Sequence, residues 1–116
     1  VLSGKYNDGK TPSNARFGDY ASDSNPRQKA MAQRFVNEGT LASTAKYLTI
    51  AEAAGMSPVT LATAWSMNFD FVASTIIGAR TVDQLDESLA ALDVTLSDEI
   101  MKQCDEVHAQ IPYPMG

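Results

Sequence analysis

Residues 71–77, Phe-Val-Ala-Ser-Thr-Ile-Ile, constrain the fold more than any other stretch of this chain. They are rich in β-branched residues and bounded by Asp70 and Gly78, which is how a strand reads. The run is apolar on both faces, as parallel strands covered by helices are. It is also the one convincing strand. A lone strand leaves its backbone groups without a ladder, and each buried orphan costs free energy. Val1-Leu2-Ser3 reads as the end of another strand but is too short to be a whole partner. The sequence therefore predicts a part of a larger α/β domain, with neighbouring strands outside this chain, or an assembly with another chain.

Helical patterns fill most of the rest. Residues 27–37 carry Ala30, Met31, Arg34 and Phe35 at helical spacing. A second helix is expected over 40–54, with Leu41, Ala45, Leu48 and Ala51 as its stripe and Gly55 as its C-terminal cap. Ser57-Pro58 starts a third, with Ser57 as N-cap and Pro58 in the first turn; it carries Leu61, Ala62, Trp65 and Phe69. A fourth is expected over 82–92, opened by a Thr81/Gln84 capping box, with Val82, Leu85, Leu89 and Leu92 on one face. Ser97 opens a fifth, over 97–109, with Asp98 and Glu99 at its positive end and Ile100, Cys104, Val107 and His108 inward. Trp65, Leu85, Leu89 and Leu92 should be largely buried. Residues 4–26, punctuated by Gly4, Gly9, Pro12, Gly18 and Pro26, read as a long loop, and the tail from Ile111 as irregular.

The 116 residues fit one domain, and 44% apolar with 20% charged residues is enough for a core. No apolar run approaches the roughly 18 residues of a membrane span, and no signal peptide is recognisable. Cys104 stands alone, which excludes an internal disulfide and reads as cytoplasmic. The chain opens on Val1, so residues upstream are expected. The net charge of −5 is uneven: residues 1–46 hold seven basic and four acidic groups, residues 47–116 two and ten. Such a chain is a poor nucleic-acid binder, because duplex binding needs many Lys and Arg contacts to phosphate. Within the acidic part, Arg80 is the only Lys or Arg between Lys46 and Lys102.

Two stretches match phosphate-binding patterns. Gly4-Lys5-Tyr6-Asn7-Asp8-Gly9-Lys10-Thr11 has P-loop spacing. It lacks the preceding strand and the apolar helix that such a loop needs, so it reads as a solvated Gly-rich loop. Ile76-Ile77-Gly78-Ala79-Arg80-Thr81 is the stronger signal: a strand ends in glycine, and a helix begins a few residues later. Helix N-termini hold anions, Gly78 permits close approach to the backbone, and Arg80 can clamp a phosphate with two prongs. The residues alone leave open an ordinary junction with Arg80 pairing Asp83 or Glu87.

Val1-Leu2-Ser3-Gly4-Lys5-Tyr6, Ile76-Ile77-Gly78-Ala79-Arg80, Gln84 and Glu87 together resemble the aldo-keto reductase superfamily. The branch is that of bacterial aldo-keto reductases and potassium-channel β subunits. Leu61-Ala62-Thr63-Ala64-Trp65 and Leu96-Ser97 fit as well, so the resemblance covers nearly the whole chain. It implies an α/β fold, with residues 1–116 forming the C-terminal portion of a (β/α)8 barrel, mostly helical within this chain. It implies NADP as cofactor and a small carbonyl compound as substrate of the complete enzyme. Barrel enzymes often hold phosphate on the loops after strands seven and eight. By resemblance, Ser3 and Lys5 contact the pyrophosphate and Arg16 reaches over it. Gly78 and Arg80 hold the adenosine 2′-phosphate, Gln84 assists, and Glu87 and Ser88 meet the adenine or ribose. The family carries Asn at the position of Ser88, and a hydroxyl offers one donor where an amide offers two. The family's catalytic Asp, Tyr, Lys and His lie upstream of this chain. His108 reads as a packed or helix-end histidine, Cys104 as a buried apolar group, and no metal site is expected. The alternative is a non-catalytic, truncated helical module that self-associates to cover its strand.

Overall fold

The structure, a computed structural model, describes residues 1–9, 11–12 and 15–116. Lys10 of the P-loop-like stretch lies outside them. Among the described residues six α-helices follow in order: α1 Arg16–Ser22, α2 Pro26–Phe35, α3 Glu38–Ala53, α4 Pro58–Met67, α5 Val82–Leu89 and α6 Asp98–Gln110, with a 3-10 turn at Ala90–Asp93 after α5. α3 packs on α4 and α6, α5 and its 3-10 turn pack on α4, and α1 packs on α2.

Local chemistry starts most of these helices. The Ser57 hydroxyl accepts the Thr60 N–H at 3.0 Å, and Pro58 occupies the first turn of α4, where no amide partner is needed. Ser97 accepts from the Ile100 N–H at 3.3 Å, and Asp98 and Glu99 sit at the positive end of α6. Asn37 and Thr40 exchange bonds in a reciprocal cap on α3. Gly55, with φ at +69°, ends α3 in the left-handed conformation that glycine adopts without strain.

The core lies between α3, α4, α6 and the segment after α5: Ile50, Ala51, Leu61, Ala64, Ala91, Leu96, Cys104 and Val107. The buried face of α3 is rotated from the expected stripe. Thr40, Ser43, Thr44, Ile50 and Ala51 are buried, whereas Ala45 is exposed. Small hydroxyl residues fit there because a side chain such as Thr40 bonds a local carbonyl, Phe35 O at 3.1 Å. On α2 the buried residue is Ala32, and Met31 is 44% exposed.

The strand expected at 71–77 is not formed. From 74 to 79 the chain runs without helix, turn, bend or ladder. A strand exists only as a pair, and among the described residues nothing pairs with it. Val1–Ser3 likewise forms turns, not a strand end. The same cause exposes the leucines expected inside: Leu85, Leu89 and Leu92 are 39, 44 and 67% exposed, and Trp65 is 38% exposed. Their apolar stripe exists, but the described residues cover it only in part. His108 is exposed too, its ring edge-on to Tyr113 with centroids 5.9 Å apart.

Sequence periodicity also missed α1, which lies inside the expected loop. Its support is tertiary: Phe17 stacks on Phe35 at 5.0 Å, and the buried Tyr6 hydroxyl accepts the Phe17 N–H at 3.2 Å. The Asn7 side chain donates to Leu41 O at 2.9 Å, which ties the 4–9 turn to α3.

Burial and the nearby Asp105 push the Cys104 thiol above its ordinary pKa. The folded state therefore holds this proton more tightly than the unfolded chain does. Its contribution to stability is full below the unfolded value of roughly 8.5 and is lost as pH rises through the raised folded value. We expect Cys104 to resist alkylation in the native chain and to react at once in denaturant. Cys104→Val should flatten the alkaline decline in stability. Rapid native-state labelling would contradict this environment.

Candidate functional site

α5 begins at the junction that the sequence singles out. The Thr81 hydroxyl accepts the Gln84 N–H at 3.3 Å, which is half of a capping box. The other half is displaced by one residue: Gln84 Oε1 accepts the Arg80 N–H, not that of Thr81, at 2.9 Å. The Gln84 side chain thus closes the turn that carries Arg80. Arg80 is exposed beside the positive end of α5, and Asp83 in the first turn offsets part of that field.

Two further bonds hold α5. The Thr60 hydroxyl donates to the Glu87 carbonyl at 2.7 Å, which fastens α5 to α4. The buried Ser88 hydroxyl donates to the Gln84 carbonyl at 3.0 Å. Its one proton is therefore spent within the helix, and only its oxygen lone pairs can face a ligand. The Ser66 and Thr75 hydroxyls lie 2.9 Å apart and pin the unpaired 74–79 run to α4.

These fastenings bring distant residues to one groove of about 520 Å³. Ser3 and Lys5 enter it from the first turns, Gly78 and Ile76 from the 74–79 run, and Ser88 from α5. The Ser3 hydroxyl and Lys5 ammonium supply donors and positive charge, while Thr63, Ser66 and Thr75 add hydroxyls. A Cβ at Gly78 would meet no other atom within 4 Å, so the backbone there is open to a ligand. The donor set and the bare glycine backbone fit a phosphorylated group.

Four of the eight residues singled out by sequence, Ser3, Lys5, Gly78 and Ser88, thus line one groove. Arg80, just before α5, and Gln84 and Glu87 on it are exposed and do not line the groove. Arg16 lies elsewhere, at a groove of about 690 Å³ with Phe17, Tyr47 and His108. Sequence reasoning missed the α4 wall. Its signal was the helical spacing of Val59, Ala62, Thr63 and Ser66, a polar-edged stripe beside the Leu61 face.

Among the described residues no group of three or more His, Cys, Asp or Glu side chains gathers as a metal site, and no helix is long and apolar enough to cross a membrane.

The Aldo/keto reductase family model matches residues 1–109. Protein tas of Escherichia coli (strain K12) is 33% identical over 114 residues, which covers 98% of this chain and 30% of tas. A putative voltage-gated potassium channel subunit beta of Schizosaccharomyces pombe is 33% identical over 111 residues, 92% of this chain and 30% of that protein. A probable voltage-gated potassium channel subunit beta of Arabidopsis thaliana is 34% identical over 94 residues, 81% of this chain and 27% of that protein. The chain spans about 30% of the length of these curated relatives. With a family match from residue 1 to residue 109 and one-third identity across nearly all of its length, the chain belongs to the aldo/keto reductase family.

Proposed function

We propose that residues 1–116 are the C-terminal part of a (β/α)8-barrel oxidoreductase of the aldo/keto reductase type, which uses NADP(H) to reduce aldehydes or ketones. This chain supplies the cofactor-phosphate end of the site. The observation that carries the reading is the groove itself: Ser3, Lys5, Gly78 and Ser88, distant in sequence, share it, and the turn carrying Arg80 leads directly from Gly78.

NADPH, when bound, supplies the hydride for the carbonyl carbon. This chain's residues bind and orient. Ser3 and Lys5 hold the pyrophosphate by a hydroxyl donor and a point charge. Gly78 admits the adenosine end to the backbone, and Arg80 grips the 2′-phosphate with its planar fork. Gln84, bonded to the Arg80 N–H, is a positioning residue that fixes the turn from which the guanidinium reaches. Glu87 presents an exposed carboxylate to the ribose hydroxyls. Ser88, its proton committed to Gln84, acts toward adenine as an acceptor, which suits the exocyclic amine. Arg16, on α1 at the separate groove with Phe17 and Tyr47, is given no contact with the pyrophosphate in this arrangement.

Proton transfer to the carbonyl oxygen requires a positioned acid, and none of this chain's residues is assigned that role. The 116-residue chain alone should therefore show no aldehyde-dependent NADPH oxidation, whereas a complete barrel ending in this segment should show it. Turnover above the enzyme-free background by the purified 12.5 kDa chain would overturn this division of labour.

A further inference from the structure

Thr60 stands in the first turn of α4 and is 4% exposed. Its hydroxyl carries one proton and gives it to the Glu87 carbonyl at 2.7 Å. The 2.9 Å contact between the Ser57 and Thr60 hydroxyls therefore has Ser57 as its donor. Ser57 Oγ in turn accepts the Thr60 N–H at 3.0 Å. The result is a directional relay, Ser57 to Thr60 to Glu87, in which each bond polarises the next. It starts at the N-cap of α4 and ends in the last turn of α5, where carbonyls run short of helical N–H partners. Ser88, the next residue, lines the groove opposite Val59, Ala62 and Thr63 of α4. The relay thus sets the spacing of two groove walls from behind, by a side chain that does not itself line the groove.

We propose that Thr60 is a positioning residue for recognition of the cofactor's 2′-phosphate, acting through the Glu87 carbonyl on the tilt of α5. The inference rests on the reading of α5 as the adenosine side of the site. Arg80 precedes Glu87 by seven residues, so it stands about 10 Å away along the axis at roughly 1.5 Å per residue. A tilt of about 10° around the Glu87 fastening carries the Arg80 turn through roughly 2 Å and leaves Glu87 and Ser88 nearly in place. Recognition groups need placement within about 0.5 Å. The guanidinium at the far end is therefore the group most sensitive to the relay, and the ribose and adenine contacts near the fastening are the least. Gln84 ties the Arg80 turn to α5, and Thr60 ties α5 to α4, so the two act in series. A valine at position 60 would keep the shape but leave the Glu87 carbonyl facing a methyl group.

Competition binding in a complete barrel ending in this segment, with 2′,5′-ADP and 5′-AMP as probes, tests the proposal. Thr60→Val should lower 2′,5′-ADP affinity about five- to tenfold and 5′-AMP affinity by less than about twofold. Thr60→Ser restores the donor and should match the wild type for both nucleotides. Thr60→Cys keeps a weak donor and should fall between; it carries the test if Thr60→Val does not fold. Ile50→Val, a core truncation on α3 away from the relay, lowers stability and should change neither affinity. Unchanged 2′,5′-ADP binding in Thr60→Val, equal losses for the two nucleotides, or a Thr60→Ser variant as weak as Thr60→Val overturns the positioning role alone. A wild type that does not prefer 2′,5′-ADP to 5′-AMP overturns the cofactor reading, and this inference with it.

Discussion

In a complete barrel bearing this segment, Arg80→Ala lowers NADPH affinity by about ten- to a hundredfold and leaves NADH affinity nearly unchanged. The size follows from hydrogen bonds to charged groups, which contribute about 1.5–3 kcal/mol. The selectivity follows from chemistry: the two cofactors differ by the 2′-phosphate alone, which carries close to two negative charges. Arg80 is the one Lys or Arg in a long acidic stretch, exposed where α5 opens. Arg80→Lys should fall between, because an ammonium keeps the charge but loses the two-pronged geometry. Titrating both cofactors by fluorescence quenching reads the result. Equal losses for the two would assign Arg80 to the fold or the pyrophosphate instead.

Leu61→Ala removes a large share of the chain's stability, whereas Leu92→Ala is nearly silent. Leu61 is 3% exposed in the centre of the core, and Leu92 is 67% exposed. Truncating a buried leucine costs about 2–5 kcal/mol, against a total stability for small domains of roughly 5–15 kcal/mol. The exposed site should change stability by no more than about 0.5 kcal/mol. Urea unfolding followed by circular dichroism gives both values. A large loss at Leu92 would mean that its face is already covered in solution.

That pair of leucines shows where the sequence is readable and where it is not. Helix starts are local: Ser57-Pro58 and Ser97 carry their own caps, so α4 and α6 begin within a residue of expectation. The stripe of Leu85, Leu89 and Leu92 is equally plain, but burial needs something on the other side, and the described residues provide it only in part. The 71–77 strand fails for the same reason. Its composition is right, yet a strand is a property of two segments. α1 went unseen for the opposite reason: Phe17 has no apolar periodicity around it, and Tyr6 and Phe35 hold it from a distance in sequence. At the junction after Gly78, the start of α5 was legible because the Thr81 hydroxyl caps it locally. That the Gln84 side chain would take the Arg80 amide, and that Ser88 would turn its proton inward, depended on atomic positions that spacing does not specify.

The most direct measurement concerns the adenosine end alone. In a complete barrel ending in this segment, 2′,5′-ADP should displace NADPH with an affinity at least about tenfold tighter than that of 5′-AMP. Arg80→Ala should erase that difference, and Lys5→Ala should leave it intact while weakening the dinucleotides NADPH and NADH alike. Equal competition by 2′,5′-ADP and 5′-AMP in the wild type would contradict a 2′-phosphate site at the head of α5.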